Sequence, residues 1–408
     1  MPAVNVKTLR SMAKNLFNPK LLLILAVCGL ASCDDDNETT NLRPSIDYTT
    51  LNPATAYADQ FEDAEGNSTV DVAEGTTRLK MFQALNSYAS SSVSANAHID
   101  EAQLNKMFTN TGAPFTDIPN LNIVGEELNN TDVQLKNVVA SSFATADAEV
   151  VRLKFEDWFT ALEEASHSVE AEASIGVAGK LTNDAGNTVR EYLVDEDGIE
   201  IIQVIQKSLI GALQLDYIGN VLLDEGLTAD NSTVVSDQNY TQLEHNWDVA
   251  YGLLTANPIY LEGSTDEQRG TSEFGAGSYI WEYNKEHYAD FFPAFLEGRA
   301  AIVNNDRATL QENADFIRTQ IEKAIANAAL GYLGKWKTGE NNGARAHAIG
   351  EGLGFIYSLR FAKMHGADAA FSDEILDELI GSENGFWDLT GPKVSAAETA
   401  IKTKFNIQ

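Results

Sequence analysis

The chain has 408 residues, with 60 acidic against 28 basic side chains and a formal net charge of −32. This balance argues against nucleic acid as a partner, because phosphate backbones are held by Lys and Arg patches, and against a polybasic contact with a membrane surface. It favours cations, and the length allows one large domain or two ordinary ones with a sizeable core.

The first element is a leader. Lys7, Arg10, Lys14 and Lys20 precede the apolar stretch Leu21–Leu30, no acidic residue occurs before Asp34, and Leu30-Ala31-Ser32-Cys33 follows. A basic start, a short apolar core and small residues at a cleavage point make a secretory signal peptide over residues 1–32, too short to span a membrane stably. The cysteine after the small residues resembles a bacterial lipoprotein box, so Cys33 is expected to be the lipidated first residue of the mature chain. That places the protein at the outer membrane, facing the periplasm or the cell surface, held by acyl chains. The two cysteines of the chain are Cys28, in the leader, and Cys33. Thiol catalysis, thiolate metal sites and internal disulfides therefore leave the list.

Residues 33–56 read as a flexible acidic tether, opened by Asp34-Asp35-Asp36-Asn37-Glu38 and poor in large apolar residues. The folded part is expected over 57–408, and helical spacing dominates it. Asp100 with Gln103 has the spacing of a capping box ahead of a helix. Val151, Phe155, Trp158, Phe159 and Leu162 share a helical face. Gly and Asn residues around the extended run Val189–Val194 predict a hairpin or ordered loop near 176–198, a point where two subdomains would divide. Ile199–Leu223 is apolar on most faces and reads as a central buried helix. A long loop is expected over Ala256–Gly277. Leu310, Ala314, Ile317, Ile321, Ile325, Ala328 and Tyr332 form one long helical stripe. Ser372 and Ser395 mark further helix starts, and Gly381 a helix end. The fold class is all-α: a multi-helix bundle assembly of roughly ten helices with one short irregular or β-hairpin insertion.

Six histidines allow each to be weighed. On helices, His245 and Asp248 share a face at i, i+3, and His347 and Glu351 at i, i+4. Two such helices facing each other would present two imidazoles and two carboxylates to one divalent metal ion, as in helical bundles with carboxylate–histidine sites. The alternative is that these groups bond one another and fix helix packing. The aromatic segment Tyr279–Tyr288 offers either a ligand platform or core packing. There is no His-Glu-x-x-His, Gly-x-Ser-x-Gly, phosphate-binding glycine loop or dinucleotide fingerprint. Asp195-Glu196-Asp197-Gly198 is not an EF-hand loop, because Leu193 stands where such a loop needs Asp.

Several stretches resemble an uncharacterised lipoprotein family, domain of unknown function 4856. They are Gly75–Met81, Arg190–Glu200, Lys207–Ala212, Glu244–Gly252 and His347–Phe355. The resemblance spans residues 57–408 and implies an exported, helix-rich lipoprotein with no assigned reaction. A weaker similarity is to imelysin-like proteins, helical and associated with iron uptake, which carry Gly-x-His-x-x-Glu. Here Leu243 stands two before His245 and Asp248 three after it, while His347 has Glu at the fourth following position. The similarity therefore bears on fold more than on site residues.

The expected function is a lipid-anchored, exported, non-enzymatic binding protein. Its ligand would be a metal ion or metal-bearing ligand, in an accessory role to uptake beside an outer-membrane transporter. Two alternatives stay open: a peptidase-like, metal-dependent hydrolase built on the same four side chains, and a structural adaptor for a membrane transporter.

Overall fold

The computed structural model describes residues 42–185, 188–254 and 274–408. The expected leader, Cys33 and most of the loop expected over Ala256–Gly277 lie outside them. Among the described residues are twelve α-helices and one two-stranded antiparallel hairpin, an all-α architecture. No described helix is long and apolar enough to cross a membrane.

The first half of the chain builds one wall. Helix α1 (Ala73–Ser94) is followed by α2 (Glu101–Thr109), the short α3 (Gly125–Asn129) and α4 (Thr145–Ser166). Asp100 caps α2 by accepting from the Ala102 N–H at 2.9 Å, but Gln103 does not reach back. Its amide donates to the Pro114 carbonyl at 2.7 Å, so the expected capping box is half made. Val151, Phe155, Phe159 and Leu162 of α4 are buried as their spacing requires, whereas Trp158 is half-buried.

Strands β1 (Gly179–Asn183) and β2 (Arg190–Val194) pair with Gly179 opposite Val194 and Asn183 opposite Arg190. The chain then enters the core as α5 (Ile201–Leu209), which runs without a break into a π-helix, Ile210–Leu222. This is the buried helix expected over Ile199–Leu223. Its width is unusual, since π geometry is ordinarily a single turn inside an α-helix. Three polar side chains are buried along it, and each has a partner. Gln214 bridges the Leu253 carbonyl at 2.9 Å and the Ala276 N–H at 2.8 Å. Asp216 accepts from Asn220 at 3.0 Å and from the Ser142 hydroxyl. Asn220 also donates to the Phe361 carbonyl at 2.9 Å.

The second half supplies α6 (Gln242–Leu254), α7 (Ala276–Tyr283), α8 (Phe291–Val303), α9 (Arg307–Thr338), α10 (Asn342–Ser358), α11 (Ala369–Ile380) and α12 (Gly391–Phe405). Helix α9 is the spine. Asp306 caps it, and the stripe from Leu310 to Tyr332 is buried against α7, α8, α10 and α12. Helix α10 lies between α9 and α5. Two helix starts differ from the sequence reading. Asp368, not Ser372, caps α11, and Ser372 is buried inside that helix, donating to the Ile356 carbonyl. Helix α12 opens at Gly391, and Ser395 sits within it, accepting from Lys337 at 3.0 Å. Gly381 does close α11.

Two boundaries also differ. Residues 41–408 form one compact unit, with no division near 176–198. The described part of the expected tether packs on this body: the Ile46 N–H donates to Asn304 Oδ1 at 2.7 Å, and the Asn304 amide returns to the Ile46 carbonyl at 2.9 Å.

Candidate functional site

Helix α6 begins with a reciprocal cap. The Thr241 N–H donates to Glu244 Oε2 at 2.7 Å, and the Glu244 N–H to the Thr241 hydroxyl at 3.2 Å. Glu244 and Asp248, one turn apart, both face Arg299 of α8, which is wholly buried. Arg299 donates to Glu244 at 2.8 Å, to Asp248 at 3.0 Å and to the carbonyl and hydroxyl of Thr69 at 3.1 Å each. Arg43 is a second cation on Glu244 and donates to the Asn239 carbonyl at 2.6 Å. Asp248 also accepts from the Tyr57 hydroxyl at 2.8 Å and the Asp71 N–H at 3.2 Å. Two carboxylates and two guanidiniums thus neutralise one another inside the protein. Burial pushes the Asp248 carboxyl up to about 6, against the pull of Arg299 and the Tyr57 hydroxyl.

His245 turns to α1. Its ring nitrogens lie 3.6 Å from Glu74 and 4.0 Å from Asp71, and the ring stacks on Tyr240 at 4.7 Å. Burial alone would lower its pKa, but the nearby carboxylates of Glu74 and Asp71 outweigh it, and the imidazole is raised above its ordinary value. The same His245 contact, with help from Arg78, holds Glu74 down at about 2.

His347, at the start of α10, donates or accepts at 2.7 Å with Glu200, which sits just ahead of α5. Its ring stacks on Tyr192 of β2 at 4.2 Å, and its second nitrogen is 3.9 Å from Glu351. Glu351 belongs to Lys207, a buried amine 3.2 Å away whose other face meets the Tyr279 ring. Burial opposes a charged His347, but Glu200 outweighs it and the pKa is raised.

The structure therefore keeps the four expected metal ligands apart. Asp248 bonds to Arg299 of α8 and to Tyr57 and Asp71 of the N-terminal segment, and His245 faces Glu74 of α1; His347 bonds to Glu200 ahead of α5 and stacks on Tyr192 of β2, and Glu351 pairs with Lys207 of α5. Among the described residues no group of three or more His, Cys, Asp or Glu side chains is placed to hold a metal ion. The set does not fit a metal centre. Helical spacing puts two side chains on one face, but it does not say which helix that face meets, and here Asp248 and Glu351 are each taken by a buried cation. The aromatic segment is core packing: Tyr279 stacks on Tyr283 and meets Phe355 edge-on at 4.6 Å. Helix α7 ends at Tyr283, so His287 turns instead to Phe316.

A different place has the shape of a ligand site. A cleft of about 280 Å³ opens where α4, the end of β2, α5, α10 and α11 meet. Its floor is apolar, from Ile201 and Val204 of α5, Leu353 of α10 and Leu376 of α11. Trp158 and Tyr357 meet edge-on at 4.9 Å along one side. Four charged groups line it: Lys154, Asp195, Asp197 and Asp373. Asp373 is paired with Arg360 at 2.6 Å, and Lys154 lies 5.5 Å from the Trp158 ring. Asp195 accepts from the Ile199 N–H at 2.8 Å, and burial pushes its carboxyl up to about 7, with the neighbouring Asp197 and Glu196 adding to the rise. Small-molecule sites usually have volumes of roughly 300–1,000 Å³ with apolar walls and few polar groups; this cleft lies just under the lower end, a size for a ligand of few heavy atoms. The sequence weighed Asp195–Gly198 only as a calcium loop, which Leu193 excluded, and Trp158 only as part of a helical stripe.

The family model described as domain of unknown function (DUF4856) matches residues 56–408. The chain belongs to that family. No curated protein and no solved structure matches it.

Proposed function

We propose that this DUF4856 member is an exported, lipid-anchored protein that binds a small molecule and performs no chemistry on it. One observation carries the binding reading: the cleft between α4, α5, α10 and α11 is ligand-sized and mostly apolar, and it has a few charged groups on its rim. The buried His, Asp, Glu, Lys and Arg side chains around Arg299 and Lys207 are committed to one another. That supports reading them as framework rather than as reacting groups. The address rests on Cys33, which follows an apolar stretch and small residues behind a basic start.

The test has two readouts on the full-length chain. Palmitate labelling and membrane fractionation compare the native protein with Cys33→Ser; label and membrane retention are both expected to disappear in the variant. Melting curves are then taken across a panel of small organic cations, anions, neutral molecules and divalent metals. Stabilisation by at least one class is expected. Equal labelling of both proteins sinks the anchor, and a flat panel sinks the binding reading.

A further inference from the structure

Asp195 and Asp197 stand out among the charged groups of the cleft. Lys154 lies over an aromatic ring and Asp373 has Arg360, but among the described residues no cation lies within ion-pair distance of either Asp195 or Asp197. Asp195 is half-buried, and a carboxylate withdrawn from water without a counter-charge is unfavourable unless something supplies one. The rise of its pKa to about 7 is the same cost seen in titration. The aromatic wall already seats cations: Arg360 lies 3.5 Å over the Tyr357 ring and Lys154 near Trp158. The net charge of −32 draws the same sign from solution. A hydrated divalent ion has no use for the apolar floor of Ile201, Val204, Leu353 and Leu376, and two carboxylates are few for calcium, which takes about six to eight oxygens.

Other hollows are less well suited. The one between α1 and α2, lined by Ser87, Ser91 and Ser92, presents hydroxyls partly spent on their own helix; Ser92 donates to the Tyr88 carbonyl at 2.9 Å.

We propose that the cleft binds a small organic cation: an ammonium or guanidinium group set against Asp195 and Asp197, on an aliphatic or aromatic body that fills the apolar floor beside Trp158 and Tyr357. This rests on the binding reading above and names its ligand class. The cation supplies the missing counter-charge, and its body displaces water from the floor.

The probe is n-hexylammonium, with n-hexanol, n-hexanoate and calcium chloride as controls, read by calorimetric titration and melting curves on the full-length chain. The variant is Asp195→Asn with Asp197→Asn. Asn at 195 keeps an oxygen for the Ile199 N–H, so the local turn is retained. Hexylammonium is expected to bind and stabilise the native chain, and to lose about tenfold or more in affinity in the double variant, as loss of a charged hydrogen bond implies. Should the double variant not fold, Asp197→Asn alone removes an exposed carboxylate, and a severalfold loss is expected from it. Three outcomes overturn the proposal: no binding of hexylammonium, equal binding to native and variant chains, or calcium binding that the variant abolishes. If hexanol or hexanoate binds while hexylammonium does not, the ligand class is wrong and the binding reading survives. Only a flat response across the wider panel removes both.

Discussion

Arg299 shows what one residue does to the meaning of its neighbours. Asp248, expected as a metal ligand beside His245, shares its helix face with Glu244 one turn back. With a buried guanidinium bonded to both, they are its counter-ions. Nothing local to residues 244–248 announces that partner, 51 and 55 positions away. The Thr241–Glu244 cap, by contrast, is a local pairing of residues three apart. The histidines carry a prediction at this scale. His245 faces Glu74 of α1, Asp71 just ahead of that helix and Asp248 of its own helix; His347 faces Glu200, Glu351 and Lys207. Both imidazoles have folded pKa values above the ordinary 6.5, so each contributes stability that is complete below 6.5 and is lost as pH rises through the folded value. Glu74, held at about 2, contributes above its ordinary 4.5 and loses that contribution as pH falls toward 2. The His245–Glu74 link between α6 and α1 is therefore strongest between 4.5 and 6.5. Urea unfolding of a His245→Gln, His347→Gln variant is expected to show a deficit of roughly 1 kcal/mol per histidine near pH 5.5, shrinking toward pH 9. A deficit that grows with pH would contradict this account.

At the scale of elements, the segment His347-Ala348-Ile349-Gly350-Glu351-Gly352-Leu353-Gly354 is explained by contact between two helices. A Cβ on Gly354 would stand 2.6 Å from Lys207 Cβ and 2.8 Å from the Val204 carbonyl of α5. One turn on, the Ser358 hydroxyl donates to the Lys207 carbonyl at 2.7 Å. Small residues on α10 let α5 approach this closely, and the approach brings Lys207 to Glu351 and Glu200 to His347. The glycines thus assemble the polar cluster without binding anything themselves. Gly354→Ala is expected to lower unfolding free energy by about 1–3 kcal/mol, the range for overpacking, as measured by chemical denaturation. An unchanged midpoint would mean that the two helices can separate freely. The α4 stripe and the α9 stripe were legible because periodicity is a local property. The π geometry of Ile210–Leu222 was not, and the partners of Gln214, Asp216 and Asn220 along it, Leu253, Ser142 and Phe361, are all distant in sequence.

For the whole molecule, the folded body starts earlier than composition suggests. Arg43 reaches Glu244, Ile46 exchanges two hydrogen bonds with Asn304, and the Tyr48 hydroxyl donates to Asp306 at 3.0 Å. A chain beginning at Tyr57 is expected to be less stable than one beginning at Asn41 by about 2 kcal/mol or more, because Glu244 loses one of its two buried cations. Equal melting of the two chains would return residues 42–56 to the role of tether. The sequence by itself determined the class of fold, the hairpin, the buried central helix and the long stripe of α9. Each of these is written in composition or in spacing over a few turns, and those signals survive without knowledge of neighbours. The tertiary structure alone decided which charged side chains are spent on one another and which face a cleft. Asp248 and Asp195 look alike in the sequence. One is buried against Arg299 and the other lines a cleft with no cation in ion-pair distance among the described residues, and only long-range packing separates the two environments.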